Sequence, residues 1–329
     1  MVSDLCCPSM CPYRRSLFYL ISFSLCSYEL ICLAKDKTAS KPGYSFPSSI
    51  PLEIDGTPQI NYGLLHDPEM DIDISNQQYF YLNYQYFKDN GGAVTAKTLN
   101  ISKNTGPIIF RENTTNNNGG AISSTNCNIA DNKQQCCFIN NATTAISSPS
   151  NQTGGAIQCS QLTISNNQGP CKFINNVSVQ YGGAISSDNV QITDNYGPVI
   201  LSSNKCTMNQ SRGGGIYGDN CYITSNHAPI TFMDNQSGFG GSIYSNRDCV
   251  ISDNSEIIKF MCNVSLFHQD ISSNEFGGGA IFCSSCTITN NSKGVVFENN
   301  ASKRNAGAIF AQNLTIQDNG PRIIFKQFF

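Results

Sequence analysis

The stretch Gly154–Asn176 reads GGAIQCSQLTISNNQGPCKFINN, and its pieces return along the whole chain. Gly-Gly-Ala-Ile or a close variant begins at Gly91, Gly119, Gly154, Gly182, Gly213, Gly240, Gly278 and, as Ala-Gly-Ala-Ile, at Ala306. The spacings are 28, 35, 28, 31, 27, 38 and 28 residues. Self-similarity at such a period marks a solenoid or a propeller. A second signature, [Leu/Cys/Val]-x-Ile-x-x-Asn, places its isoleucine at Ile101, Ile129, Ile164, Ile192, Ile223, Ile251, Ile288 and Ile316. Nine residues later stand Phe110, Phe138, Phe173, Leu201, Phe232, Phe260, Phe297 and Phe325, and that step never varies.

Constant steps identify the segments that stack. Three residues after the Phe column come Asn113, Asn141, Asn176, Asn204, Asn235, Asn263 and Asn300. Apart from one extra residue before Cys249, length varies only between that Asn and the next Gly-Gly, so each turn has one free corner. The long stretches 142–153 and 264–277 lie there. Constant strands with one variable corner describe a solenoid in register.

Period-two alternation gives the strands and their inward faces. Ile108, Cys136, Cys171, Val199, Ile230, Ile258, Val295 and Ile323 precede the Phe column by two, and the residue between is mixed, as in Lys172, Thr231 and Lys259. Small residues fill another column, Ala96, Ser124, Cys159, Ser187, Gly218, Ser245, Cys283 and Ala311, suited to a tight inner corner. About five inward apolar side chains per unit cannot sustain a fold alone, but stacked units bury a continuous core. The pattern predicts an all-β chain, a right-handed parallel β-helix of about eight turns, the hand following from the crossover rule. A propeller blade needs four antiparallel strands in 40 or more residues, whereas most units here have 27 or 28.

Composition agrees. Charged residues make up 13% of 329, hydrophobics 40%, and Trp is absent. A helical protein carries about 25% charged residues. The formal net charge of -3 and the lack of a basic run speak against a nucleic-acid partner. Arg14-Arg15 followed by the apolar run Ser16–Leu25 and by Cys32-Leu33-Ala34 predicts a signal peptide over 1–34, an uncleaved anchor being the alternative. Residues 35–90 are read as an N-terminal cap region and 91–329 as the β-helix. No later segment has 18 consecutive apolar residues, so no transmembrane helix is expected in the mature chain. Export implies an oxidising surrounding.

Several apparent sites fall into columns. Cys283-Ser284-Ser285-Cys286 resembles a redox or zinc half-site, yet both cysteines occupy core columns. Cys136 near Cys171, and Cys221 near Cys249 and Cys286, permit disulfides between turns without requiring them. Asp131, Asp194, Asp253 and Asp318 share a turn column with Asn166 and Asn290, which favours turn capping over catalysis. The histidines His66, His227 and His268 have unrelated settings. No catalytic, cofactor-binding or metal site is expected. Asp71-Ile72-Asp73 could coordinate calcium, an exposed strand edge being the plainer reading. The aromatic run Tyr79–Phe87 reads as a capping strand, or alternatively as a glycan platform. Asn-x-Ser/Thr sequons at Asn113, Asn141, Asn176, Asn235, Asn263 and Asn300 fall on ladder positions expected to face inward. Asn100, Asn151, Asn209, Asn290 and Asn313 fall on outward faces or loops and are the better glycosylation acceptors.

Repeated Gly-Gly-Ala-Ile paired with Phe-x-x-Asn resembles the polymorphic outer membrane proteins of the chlamydial type and similar protist surface proteins. The resemblance covers roughly residues 87–328. It implies an extracellular or cell-surface β-helical protein, outer-membrane-associated in bacteria, that acts as a non-catalytic adhesin and antigen on host-cell or matrix protein or glycan. Members of the family carry a C-terminal barrel or a membrane helix, whereas this chain stops at Phe329, so an incomplete fragment or a covered strand edge is expected. The competing readings are a pectate-lyase-like polysaccharide lyase or hydrolase, and a truncated paralogue lacking its anchor.

Overall fold

The computed structural model describes residues 65–83, 85–87, 89–144, 153–266, 277–303, 306–320 and 323–327. These residues belong to one compact unit, 60–328. The expected signal peptide, Asn151, His268 and most of both long corner stretches lie outside the described residues.

Every described strand joins one of three parallel sheets. The first has nine strands, Leu65–Ser75, Val94–Ser102, Ile122–Ala130, Ile157–Ser165, Ile185–Thr193, Ile216–Thr224, Ile243–Ser252, Ile281–Thr289 and Ile309–Gln317. The second has nine four-residue strands, from Phe80–Asn83 to Ile323–Lys326. The third has eight two-residue strands, from Tyr86–Phe87 to Ala301–Ser302. The order of strands within each sheet skips by three, so the chain visits all three sheets once per turn. This is a parallel β-helix.

Register is exact to the residue because one slip would turn each inward face outward. Ile101 pairs with Ile129 and, turn by turn, the column runs on to Ile316. Residues 65–87 are already part of the coil: Ile74 pairs with Ile101, Leu82 with Phe110 and Phe87 with Thr115. Residues 65–87 therefore supply a rung under the first Gly-Gly turn, its second- and third-sheet strands coming from the aromatic run. The extra residue before Cys249 is absorbed as a bulge, with the register shifting between Gly218 and Asn220 and between Ser245 and Asp248. The small-residue column, expected at a corner, lies inside the long first-sheet strands instead.

The inward columns of the first and second sheets build one continuous apolar core. Leu99, Ile101, Ile108 and Phe110 and their equivalents are essentially unexposed up to Phe297. Phe110, Phe138 and Phe173 stack at 4.9 and 4.8 Å, and Phe232, Phe260, Phe297 and Phe325 at 4.7, 4.9 and 5.0 Å. Stacking at the strand repeat is what parallel in-register pairing imposes on identical rings. In the last described rung Leu314, Ile316 and Phe325 are exposed by 49%, 39% and 56%.

Candidate functional site

The corners come first, because they decide which polar residues are free to act. Between the first and second sheets a residue in the left-handed region opens each turn: Lys103, Asp131, Asn166, Asp194, Ser225, Asp253, Asn290 and Asp318 have φ between 52° and 59°. Asp and Asn tolerate that conformation better than other non-glycine residues. The column of acids is therefore a turn column. Asp194 accepts a hydrogen bond from Thr193 Oγ1 (2.9 Å) and Asp253 from Asn290 Nδ2 (3.2 Å).

After each such residue stands a ladder asparagine. Asn132 donates from Nδ2 to Asn167 Oδ1 (2.9 Å) and to the Ile101 carbonyl (3.0 Å), and the column from Asn104 to Asn319 repeats this. The second corner does the same. Asn176 Nδ2 donates to Asn204 Oδ1 and to the Phe138 carbonyl, both at 3.0 Å, and its Oδ1 accepts from the N–H and Nδ2 of Asn141, both at 3.0 Å. Asn113, Asn141, Asn176, Asn235, Asn263 and Asn300 are at most 5% exposed. Their sequons arise from two structural columns: the Ser or Thr two residues on, as in Thr115, Ser178 and Ser265, is the buried inward residue of the third sheet. Sequence reasoning left that sheet inside the free corner. Its recurrent buried Ser/Thr was the signal that could have revealed it.

The third corner explains the glycine pair. Gly182 has φ 61°, and a Cβ on Gly183 would stand 2.1 Å from the Gly214 carbonyl oxygen of the next turn. Gly92, Gly120, Gly155, Gly214, Gly241 and Gly279 meet the same obstacle at 2.0–2.2 Å. Only glycine fits so close a backbone approach.

What remains accessible is the outer face of the first sheet and the variable corner. On that face Asn128 donates to Asn100 (2.8 Å), Asn100 to Asp73 (3.0 Å) and Asn220 to Asn189 (2.7 Å). Asp71 and Asp73 thus flank the first rung as exposed residues, with Ile72 packed against the core. Among the expected acceptors, Asn209, Asn290 and Asn313 are exposed, and Asn100 is half-buried with its amide engaged. A shallow recess of about 120 Å³ beside the variable corner is lined by Lys205, Thr207, Met208, Asn209, Gln236 and Leu266 among others.

One surface feature escaped sequence reasoning. Outside the first sheet, Tyr181, Tyr217, Tyr244, Phe282 and Phe310 stack in sequence at 4.6, 5.7, 4.8 and 5.1 Å, with the Arg212 guanidinium 5.0 Å from the Tyr244 ring centre. The aromatic residue following the Gly-Gly-x-Ile isoleucine in four successive turns was the available signal. Stacked faces hide one another, so this ridge presents ring edges. His66 packs on Phe87 (4.2 Å) and His227 on Tyr196 (4.6 Å), so neither joins an acid pair.

Two of the buried thiols are weakened as acids by their surroundings. Burial holds Cys127 well above the ordinary thiol range and pushes Cys159 up to about 12. No group of three or more His, Cys, Asp or Glu is arranged to hold a metal ion among the described residues. Nor, among these residues, is any helix long and apolar enough to cross a membrane.

Comparison with known proteins places the repeat. The Chlamydia polymorphic membrane protein repeat matches residues 107–125 and 294–312, each running from the Phe-x-x-Asn corner through the next Gly-Gly-Ala-Ile or its variant. Chlamydia pneumoniae "Probable outer membrane protein pmp15" is 39% identical over 66 residues, which is 20% of this chain and 7% of that protein. No solved structure matches the chain. The two matched stretches and the 66-residue likeness make the chain similar, in its repeats and their motifs, to the polymorphic membrane proteins of Chlamydia.

Proposed function

We propose that the chain is a surface-exposed repeat protein that binds a host-cell or matrix protein or glycan as a non-catalytic adhesin and antigen. The observation that carries this reading is the outer face of the first sheet, where polar side chains and, in the later turns, a row of aromatic rings stand in register beside a corner that takes nearly all the length variation. Such a rigid, extended and repetitive surface suits recognition along its length. The name of the Chlamydia pneumoniae relative supports an outer-membrane or other extracellular surface location. In the same reading residues 1–34 are a cleaved leader, 35–90 the cap region, whose residues 65–87 form the first rung of the coil, and 91–329 the repeat-bearing turns that bind. Asn100, Asn151, Asn209, Asn290 and Asn313 are then the acceptors wherever the producing cell glycosylates.

Saturable binding of the folded chain to candidate host cells, against an unfolded control and an unrelated β-helix, tests the proposal. Saturation lost on unfolding supports it and directs mapping to residues 142–153 and 264–277. Binding no greater than that of the unrelated β-helix overturns it.

A further inference from the structure

Of the eleven cysteines among the described residues, all but Cys262 are buried. Two sets stand directly opposite one another in neighbouring turns. In the second sheet Cys136 is the register partner of Cys171. In the first sheet Cys221, Cys249 and Cys286 are partners in three consecutive turns. Cys283, also inward, adds a fourth sulfur against Cys249. Leu99, Leu162 and Val190 show that larger apolar side chains fill the same column in other turns, so packing alone does not call for cysteine there.

Parallel neighbours lie about 4.8 Å apart, inside the Cα separation of roughly 4.4–6.8 Å that a disulfide spans and just beyond its Cβ separation of about 3.5–4.5 Å, so the bond draws the two turns slightly together. Register partners point to the same side of the sheet, and here both point into the core. We propose that Cys136 with Cys171, and Cys249 with Cys286, are sites of oxidation that staple neighbouring turns of the β-helix, with Cys221 and Cys283 as alternative partners of Cys249.

The oxidant is a small disulfide of the glutathione class. One cysteine gives up its proton, and its thiolate attacks a sulfur of the small disulfide, forming a mixed disulfide and releasing one small thiolate, which takes up a proton. The second cysteine, also deprotonated, attacks the protein sulfur of that mixed disulfide and releases the other small thiolate. Two protein thiols are oxidised, and one small disulfide is reduced to two thiols. Burial confines the exchange to chains still closing, or to turns that open.

The full chain, refolded with and without oxidised glutathione, is alkylated under denaturing conditions and mapped by mass spectrometry without reduction. The expected result is two cross-linked peptide pairs, Cys136–Cys171 and Cys249–Cys286, both released by dithiothreitol. Cys286→Ala is expected to move the second link to Cys221–Cys249 or Cys249–Cys283 and leave the first intact. Closing a loop of one turn should raise the folded-to-unfolded ratio roughly 30- to 1,000-fold over the reduced chain. Full alkylation of all these cysteines after oxidation, cross-links joining other pairs, or an oxidised chain no more resistant to urea than the reduced one would overturn the proposal.

Discussion

Replacing Asn176 by alanine probes the ladder at its centre. The side chain is wholly buried and makes four hydrogen bonds, two given to the Phe138 carbonyl and Asn204 Oδ1, and two accepted from the N–H and Nδ2 of Asn141. Asn204 Oδ1 keeps the backbone N–H of residue 176, so it stays satisfied. Two groups do not, the Asn141 N–H and one Asn141 amide hydrogen, whereas the Phe138 carbonyl keeps its place in the second-sheet ladder. A buried group left unmet costs about 1–3 kcal/mol, which gives about 2–6 kcal/mol before relaxation. Losses above about 4–5 kcal/mol are exceptional for one substitution, so about 2–5 kcal/mol is expected. Asn126→Ala, at an exposed position of the same coil, should cost less than about 0.5 kcal/mol. Because the chain has no Trp, urea unfolding is followed by far-ultraviolet circular dichroism. Asn176→Asp adds a test of sign. Burial would raise the folded pKa of the new carboxyl above its unfolded value, so this variant should be weakest near neutrality and regain stability as acid protonates it. A loss below about 1 kcal/mol for Asn176→Ala would refute the account of the ladder.

Gly183→Ala drives a methyl against the Gly214 carbonyl and Lys205 backbone and should cost about 3 kcal/mol or more, whereas Gly307→Ala, whose Cβ would first meet Asn300 O at 3.2 Å, should cost under about 1 kcal/mol. Equal losses in thermal melts would show that the glycine pair is not explained by close approach between turns. Phe138→Ala removes a ring stacked on both sides and should cost about 3–5 kcal/mol, with Phe138→Leu much milder because Leu201 already occupies that column. The raised Cys159 thiol contributes stability that is present below about pH 9 and is lost as pH rises towards 12. Stability measured across that window should fall less steeply in Cys159→Ala, by up to about 1.4 kcal/mol per pH unit. Identical slopes would count against a buried, protonated Cys159. Enzymatic glycosylation of the folded chain should leave Asn141 and Asn176 unmodified, and a glycan on either would contradict their burial.

The sequence by itself determined the coil. A fixed nine-residue step from Ile101 to Phe110 and its copies, with a Gly-Gly corner, leaves identical faces that must stack in register to be buried, and neighbours in such a coil are copies of one another. It also pointed to the turn role of the Asp131 column, since Asn166 and Asn290 stand at the same position as the acids. Tertiary structure decided what the linear pattern could not carry. The third sheet has only two residues per strand, too short for alternation to show, and it turns the repeated sequons into buried ladder positions. Residues 65–87 lack the Gly-Gly signature yet complete a rung, because inward Ile74 and Leu82 meet the same partners that later turns supply. The convergence of Cys249 on three other thiols and the outer ridge from Tyr181 to Phe310 depend on contacts between turns some 27 to 38 residues apart, which spacing alone does not rank. Local chemistry writes the corners and the inward columns, and only the stacking of one turn on the next decides which polar groups are consumed inside the coil and which are left to meet a partner.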